Sequence, residues 1–267
     1  MAILTCDFLS KSLVRTVSFR AILPTASFGE MINPDSKPYA DVKPFKTLYL
    51  LHGIGGNDTD WLMGTRIAHY AESRGLAVIM PAGENGFYTD NNGTDRYGEF
   101  VGKELVEVTR TLFHLSTARE DTYIGGLSMG GYGAIRNGLK YADTFGKIIA
   151  LSSALVLDDA AKSTQESFWP FGKRDYFQRV FGDLDQLAGS DLDVKALADQ
   201  QAKNVQIYLA CGTEDALLAK NRDFQAHLKS LGADFTYQEG PGGHDWAFWD
   251  TYIAKGIRWL YAGGVRR

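Results

Sequence analysis

A handful of short, mostly apolar runs spaced along the chain constrains its fold more than any other feature. They lie at 47–51 (Thr-Leu-Tyr-Leu-Leu), 76–80, 122–125, 147–151 and 205–210. Runs of this length bounded by Gly, Pro or Asp read as strands, and those at 47–51 and 76–80 as strands buried on both faces. Between them the apolar spacing changes to a helical period at 60–73, 97–115, 129–141, 220–231 and 246–260. Residues 14–23 alternate up to Pro24 and read as a further strand, as do 234–238; residues 26–43 and 83–97 read as loops. Strand–helix–strand order repeated this way implies an α/β fold: a mainly parallel sheet covered by helices on both faces, with the opening strands available for an antiparallel edge.

The 267 residues are read as one domain, with 45% hydrophobic and 22% charged residues, enough to bury a core without disulfides or metals. One segment breaks the rhythm. Residues 153–203 separate two strands and hold Phe168-Trp-Pro-Phe171 and Tyr176-Phe177. This segment is expected to form a cap over the carboxyl ends of the strands, since long insertions in compact domains are usually functional. A net charge of −4 offers no basic footprint for nucleic acid or an anionic membrane. The N-terminal stretch meets Asp7 before any signal-peptide pattern develops, and no run reaches the length of a bilayer span. With only Cys6 and Cys211, the expectation is a cytoplasmic protein with unpaired thiols. A homo-oligomer is left open.

The segment Thr122-Tyr-Ile-Gly-Gly-Leu-Ser-Met-Gly-Gly-Tyr-Gly-Ala134 carries Gly126-x-Ser128-x-Gly130 between an expected strand and an expected helix. Such a strand–turn–helix elbow holds a serine in a strained conformation, where side chains two residues before or after it would clash. It exposes the hydroxyl above the sheet and puts the Met129 amide and the helix N-terminus beside a reacting carbonyl. Upstream, Leu50-Leu-His-Gly-Ile-Gly-Gly56 follows a buried strand and is suited to present a second oxyanion amide, that of Ile54. His52 is assigned to shaping that turn.

In an elbow of this type the acid and then the histidine follow the serine. Only His227 and His244 lie downstream of Ser128. His227 sits inside a helical run, whereas His244 lies in the loop Gly240-Pro-Gly-Gly-His-Asp-Trp246 and is the expected base. The acid follows the strand at 205–210 in Cys211-Gly-Thr-Glu-Asp215, with Asp215 favoured over Glu214. The histidines lack metal-ligand spacing, so no metal and no cofactor are expected.

Taken together, these motifs resemble the esterase D-like esterases of the α/β-hydrolase superfamily, nearest the bacterial tributyrin esterases and related acetyl and feruloyl esterases. Gly86-Phe-Tyr-Thr-Asp90 and Tyr176-Phe-Gln-Arg-Val-Phe-Gly-Asp183 add to the likeness, which runs from about Thr5 to Trp259. The resemblance implies a Ser128–His244–Asp215 triad with Ile54 and Met129 as oxyanion donors. It also implies a carboxylic ester hydrolase acting on small-molecule esters of acetyl, butyryl or hydroxycinnamoyl groups, the alcohol including sugars. Trp61, Trp169 and Trp246 are expected to line the acyl pocket. An S-formylglutathione hydrolase or other thioesterase is the rival reading; its oxyanion loop usually lacks His-Gly-x-Gly-Gly. A silent hydrolase fold used for binding is the rival of another class, and the complete set of triad residue types argues against it.

Overall fold

The computed structural model describes residues 1–38, 42–90 and 93–262. Among them are the strands β1 (Ala2–Ser10), β2 (Arg15–Leu23), β3 (Thr47–Leu51), β4 (Ala77–Pro81), β5 (Thr122–Leu127), β6 (Lys147–Leu151), β7 (Gln206–Gly212) and β8 (Phe235–Gly240). The helices are α1 (Phe28–Ile32), α2 (Asp60–Gly64), α3 (Ile67–Glu72), α4 (Tyr97–Glu99), α5 (Leu105–Leu112), α6 (Met129–Lys140), α7 (Leu157–Ala161), α8 (Arg174–Phe181), α9 (Val194–Gln201), α10 (Leu218–Ser230) and α11 (Trp246–Tyr261).

The strands form one sheet in the order β1-β2-β4-β3-β5-β6-β7-β8. The β1–β2 and β2–β4 pairs are antiparallel and every later pair is parallel. This is an α/β-hydrolase sheet with its antiparallel edge at the N-terminus. Successive residues of the inner strands feed opposite faces. Tyr49 and Leu51 of β3 enter one core with Ile124, Ile148 and Leu209; Leu48 and Leu50 enter the other with Tyr123, Ile149 and Tyr208. The first core is closed by α6, α9 and α10 and the second by α2, α3 and α11. Because β3 to β8 are parallel, their carboxyl ends lie along one edge. The order reverses between β3 and β5, the place where open α/β sheets bind ligands.

Three expected elements take a different form. Residues 60–73 make two helices, because the chain turns extended at Thr65 and the Arg66 N–H bonds Asp250 Oδ1 at 2.8 Å. Gly64 permits the break, since any side chain there would run into the Trp246 ring. Residues 97–115 are helical only to Leu112 and pass through a π turn at Phe100–Glu104. The loop at 26–43 contains α1, a single turn capped reciprocally by Ser27 and Glu30. Within 153–203, where a cap is expected, α9 packs instead on α6 and α10 in the helical layer beside the sheet. Cys6 and Cys211 are both free thiols; burial pushes Cys211 up to about 12, which keeps it protonated and inert.

Candidate active site

β5 runs directly into Ser128 and α6 begins at the next residue. Ser128 has φ 55° and ψ −118°, a left-handed conformation that costs a non-glycine residue energy. Its backbone is held on several sides. The Ser128 N–H donates to Leu151 O at 2.9 Å, and Ser128 O accepts from Ala154 N at 2.9 Å and Tyr132 N at 3.0 Å. Glycine is required on both sides of the turn. A Cβ on Gly126 would collide with the Gly130 carbonyl, and one on Gly130 would come 2.6 Å from His52 O and closer still to Leu51 O. These are backbone atoms and cannot swing aside. Gly130→Ala is therefore expected to destabilise the protein by about 1–3 kcal/mol through overpacking. Calorimetry would check this, and a melting temperature unchanged to within about a degree would contradict the close approach.

His244 reaches the serine from the loop between β8 and α11. Its Nε2 lies 2.9 Å from Ser128 Oγ and its Nδ1 lies 2.9 Å from Asp215 Oδ2. The Asp215 carboxylate is buried while the imidazole is 37% exposed, so the ring faces the site mouth with its orienting acid behind it. Burial opposes ionisation of Asp215, but hydrogen bonds from His244, the Leu217 amide and the Ser152 hydroxyl outweigh it and hold the carboxyl below its usual range. Trp249 donates its indole N–H to Ser152 Oγ at 3.1 Å and stands edge-on to the His244 ring, with centroids 4.9 Å apart. Glu214, the other acid candidate, points elsewhere. Its carboxylate accepts from the Gly242 N–H and the Thr213 hydroxyl, pinning the histidine loop two residues before His244. Asp245 pins it on the other side, accepting from Gly243 N and capping α11 at Phe248 N.

The turn after β3 lies against the elbow: a Cβ on Gly53 would sit 3.4 Å from the Ser128 Cβ. Among the described residues neither the Ile54 N–H nor the Met129 N–H finds an acceptor, so both amides are left to donate. His52 is fully buried and shapes this turn. Its Nε2 accepts from the Gly83 N–H at 2.8 Å and its Nδ1 faces Gly53 O at 2.7 Å. An amide can only donate and a carbonyl only accept, which fixes the proton on Nδ1. Burial also disfavours its charged form. His227 pairs with Asp199 on the surface of α10, away from the elbow.

Residues 29–260 match the family described as "Putative esterase". The chain belongs to that family. It is 46% identical to an acetyl esterase of Caldicellulosiruptor saccharolyticus over 97% of this chain and 98% of that protein. It superimposes with a TM-score of 0.80 on the substrate-bound fluorophosphonate-binding serine hydrolase FphF of Staphylococcus aureus, 30% identical, covering 97% of this chain and 98% of that one. A TM-score of 0.80 and 29% identity, with the same coverage, relate it to the S-formylglutathione hydrolase FrmB of Staphylococcus aureus. This member of the family is an esterase, a serine carboxylesterase.

In this esterase Trp61 departs from expectation. Trp61 cannot line a pocket: it is 1% exposed, its indole N–H is taken by Leu51 O at 3.0 Å, and its ring abuts Trp246. It is a core residue beneath the turn that follows β3. Trp246 packs between Trp61 and Trp249 at the start of α11. Trp169 stands 56% exposed on the cap, against Phe171. A cavity of about 410 Å³ lies beside α6, lined by Tyr132, Leu155 and Phe224 together with the charged Asp158, Lys195 and Lys220, with none of the three tryptophans and none of Ser128, His244 and Asp215 in its wall. Sequence reasoning missed the Ser152–Trp249 pair behind Asp215 and the loop-pinning role of Glu214. The one signal for Ser152 was its place directly after β6, on the same carboxyl-end edge as the other site residues. Among the described residues no group of three or more His, Cys, Asp or Glu side chains is arranged to hold a metal, and no helix is long and apolar enough to cross a membrane.

Proposed function

We propose that the chain hydrolyses esters of short acyl groups, acetyl and butyryl foremost, through a covalent acyl-enzyme on Ser128. The observation that carries this reading is the continuous hydrogen-bonded line Asp215–His244–Ser128; among the described residues the amides of Met129, next in the chain to Ser128, and of Ile54 have no acceptor. Ser128 Oγ attacks the ester carbonyl while His244 Nε2 takes its proton. Asp215 holds the Nδ1 proton in place and stabilises the imidazolium, without itself being protonated. The Ile54 and Met129 amides take the negative oxygen of the tetrahedral intermediate. Collapse of that intermediate breaks the C–O bond, and His244 returns the proton to the departing alcohol. Water then repeats the sequence in reverse and frees the acid.

Support for a short acyl group comes from the acetyl esterase relative. The aromatic residues left for acyl contact are Trp169 and Trp246; hydroxycinnamoyl groups are the flat-ring variant of the same reading, and an esterified sugar is the alcohol we favour. Two separated thiols fit a reducing compartment, the cytoplasm. The test is kcat/KM across p-nitrophenyl esters of increasing chain length together with methyl ferulate. The expected maximum lies at acetyl or butyryl, and an optimum at eight carbons or longer would refute the short-acyl reading. The likeness to S-formylglutathione hydrolase favours a thioester as the second reading. S-formylglutathione turned over faster than every oxygen ester in the panel would establish it.

A further inference from the structure

The turn that follows β3 closes on itself through one bond, from the Gly56 N–H to Gly53 O at 3.2 Å, and is otherwise held from outside. Gly55 has φ 79°, and its N–H points out of the turn, to the amide oxygen Oδ1 of Asn85 at 2.8 Å. Asn85 lies in the segment after β4, and this segment grips the turn at two further points. The Gly83 N–H donates to His52 Nε2 at 2.8 Å, and the Tyr88 hydroxyl donates to His52 O at 3.1 Å. Three bonds thus bracket Ile54, the proposed oxyanion donor, from the residues on either side of it.

The gripping segment is itself strained and locked. Glu84, Phe87 and Tyr88 have φ of 48°, 52° and 56°, a conformation rare for non-glycine residues and rarer still for aromatic ones. Strain of this kind persists only where the surroundings enforce it, and it gathers at functional sites. Here the nucleophile helix enforces it, because the Asn137 side chain donates to Tyr88 O at 3.1 Å and the Tyr88 ring occupies the space over Gly133. The cap enforces it as well. The Tyr176 hydroxyl on α8 donates to the Asn85 carbonyl at 2.9 Å, and the Thr89 hydroxyl donates to Val180 O at 2.8 Å. Tyr176 is 5% exposed and its ring continues an aromatic series through Phe177 and Phe181 to Phe87 and Tyr132.

We infer that Asn85, held from the cap by Tyr176, is a positioning residue that sets the aim of the Ile54 amide at the oxyanion. This rests on the reading of Ile54 as an oxyanion donor. The Asn85 oxygen fixes the peptide that follows Ile54, so without it only the longer Gly56–Gly53 bond resists rotation at Gly55 and the amide of Ile54 drifts from its target. The cost falls on the transition state, where the negative oxygen forms, and not on ester binding.

The test measures kcat and KM with p-nitrophenyl acetate, and inhibition by a short-chain trifluoromethyl ketone, whose adduct with the serine carries the tetrahedral oxyanion. Removing an oxyanion donor outright costs roughly 10²–10³ in kcat, so misaiming one by Asn85→Leu is expected to cost about 10- to 100-fold, with KM nearly unchanged and ketone affinity reduced by a similar factor. Asn85→Asp keeps an acceptor oxygen at the same position and is expected within about fivefold of wild type; Tyr176→Phe is expected to lose about threefold in kcat. Thermal melting alongside separates aim from folding. If Asn85→Leu does not fold, Tyr176→Phe decides: a kcat equal to wild type, or a lowered kcat with unchanged ketone affinity, overturns the inference. The inference is overturned if the leucine variant keeps wild-type kcat, if the Asp variant is as slow as the leucine variant, or if ketone affinity holds while kcat falls. Ser128→Ala, assayed in parallel, keeps the two readings apart. An inactive Ser128→Ala with a fully active Asn85→Leu rejects the positioning role alone, and an active Ser128→Ala rejects the site.

Discussion

Ser128→Ala is expected to abolish turnover while leaving the protein folded. Losses of roughly 10⁴–10⁶ in kcat accompany removal of a nucleophile that acts as a unit with its base. The fold should survive because the hydroxyl supports nothing but the reaction. Among the described residues its one hydrogen-bond partner is His244 Nε2, and the elbow is held instead by the Ser128 backbone, through Leu151 O, Ala154 N and Tyr132 N. Alanine keeps the Cβ and the same conformational demand at φ 55°. The variant should melt with the wild type and fail to label with a fluorophosphonate probe. A variant retaining a tenth of wild-type turnover would remove Ser128 from the role of nucleophile.

The parts of this site that could be read in advance are those that local chain geometry dictates. Gly126 and Gly130 were legible because a strained serine turn leaves no room for a Cβ, and the backbone atoms that would block one are present. His244 and Asp215 were legible from chain order and from their places just past strand ends. The strands of the inner sheet were legible for a similar local reason: double-sided burial forbids polar alternation, so β3 and β6 stand where their apolar runs do. What escaped was set by contacts distant in sequence. Residues 60–73 carry a helical period throughout, yet the break at Thr65 is made by Asp250 and Trp246 of α11, almost two hundred residues away. Trp61 has the spacing of a pocket residue following the oxyanion turn. Its fate is decided by the Leu51 carbonyl, which takes the indole N–H and draws the ring inward. Asn85 carries no sequence signal, because its partner Gly55 and its holder Tyr176 meet it only in the folded chain.

Asp215→Asn is expected to cost about 10⁴ in kcat, the scale seen when a triad histidine is locked in the wrong tautomer. The hydrogen bonds around the carboxylate say why. Asp215 Oδ1 accepts from the Leu217 N–H at 2.8 Å, and an asparagine must therefore keep its carbonyl oxygen on that side. The NH₂ group is then left where Oδ2 stood, 2.9 Å from His244 Nδ1. A donor there makes Nδ1 the acceptor and moves the ring proton to Nε2, where it faces Ser128 Oγ and the ring can accept nothing from it. Glu214→Gln should behave differently. Its carboxylate holds the Gly242 N–H and the Thr213 hydroxyl, and glutamine keeps one oxygen for the loop amide while the exposed threonine can turn to water. The loss of one such bond is worth about 0.5–1.5 kcal/mol, or at most about tenfold in rate. Both variants should be assayed with p-nitrophenyl acetate across pH, because a histidine in the wrong tautomer lowers kcat over the whole neutral range, whereas a loosened loop lowers it mildly and raises KM. If Glu214→Gln proved the slower enzyme, the orienting acid would be Glu214, and the Asp215–His244 bond would be reduced to a structural contact.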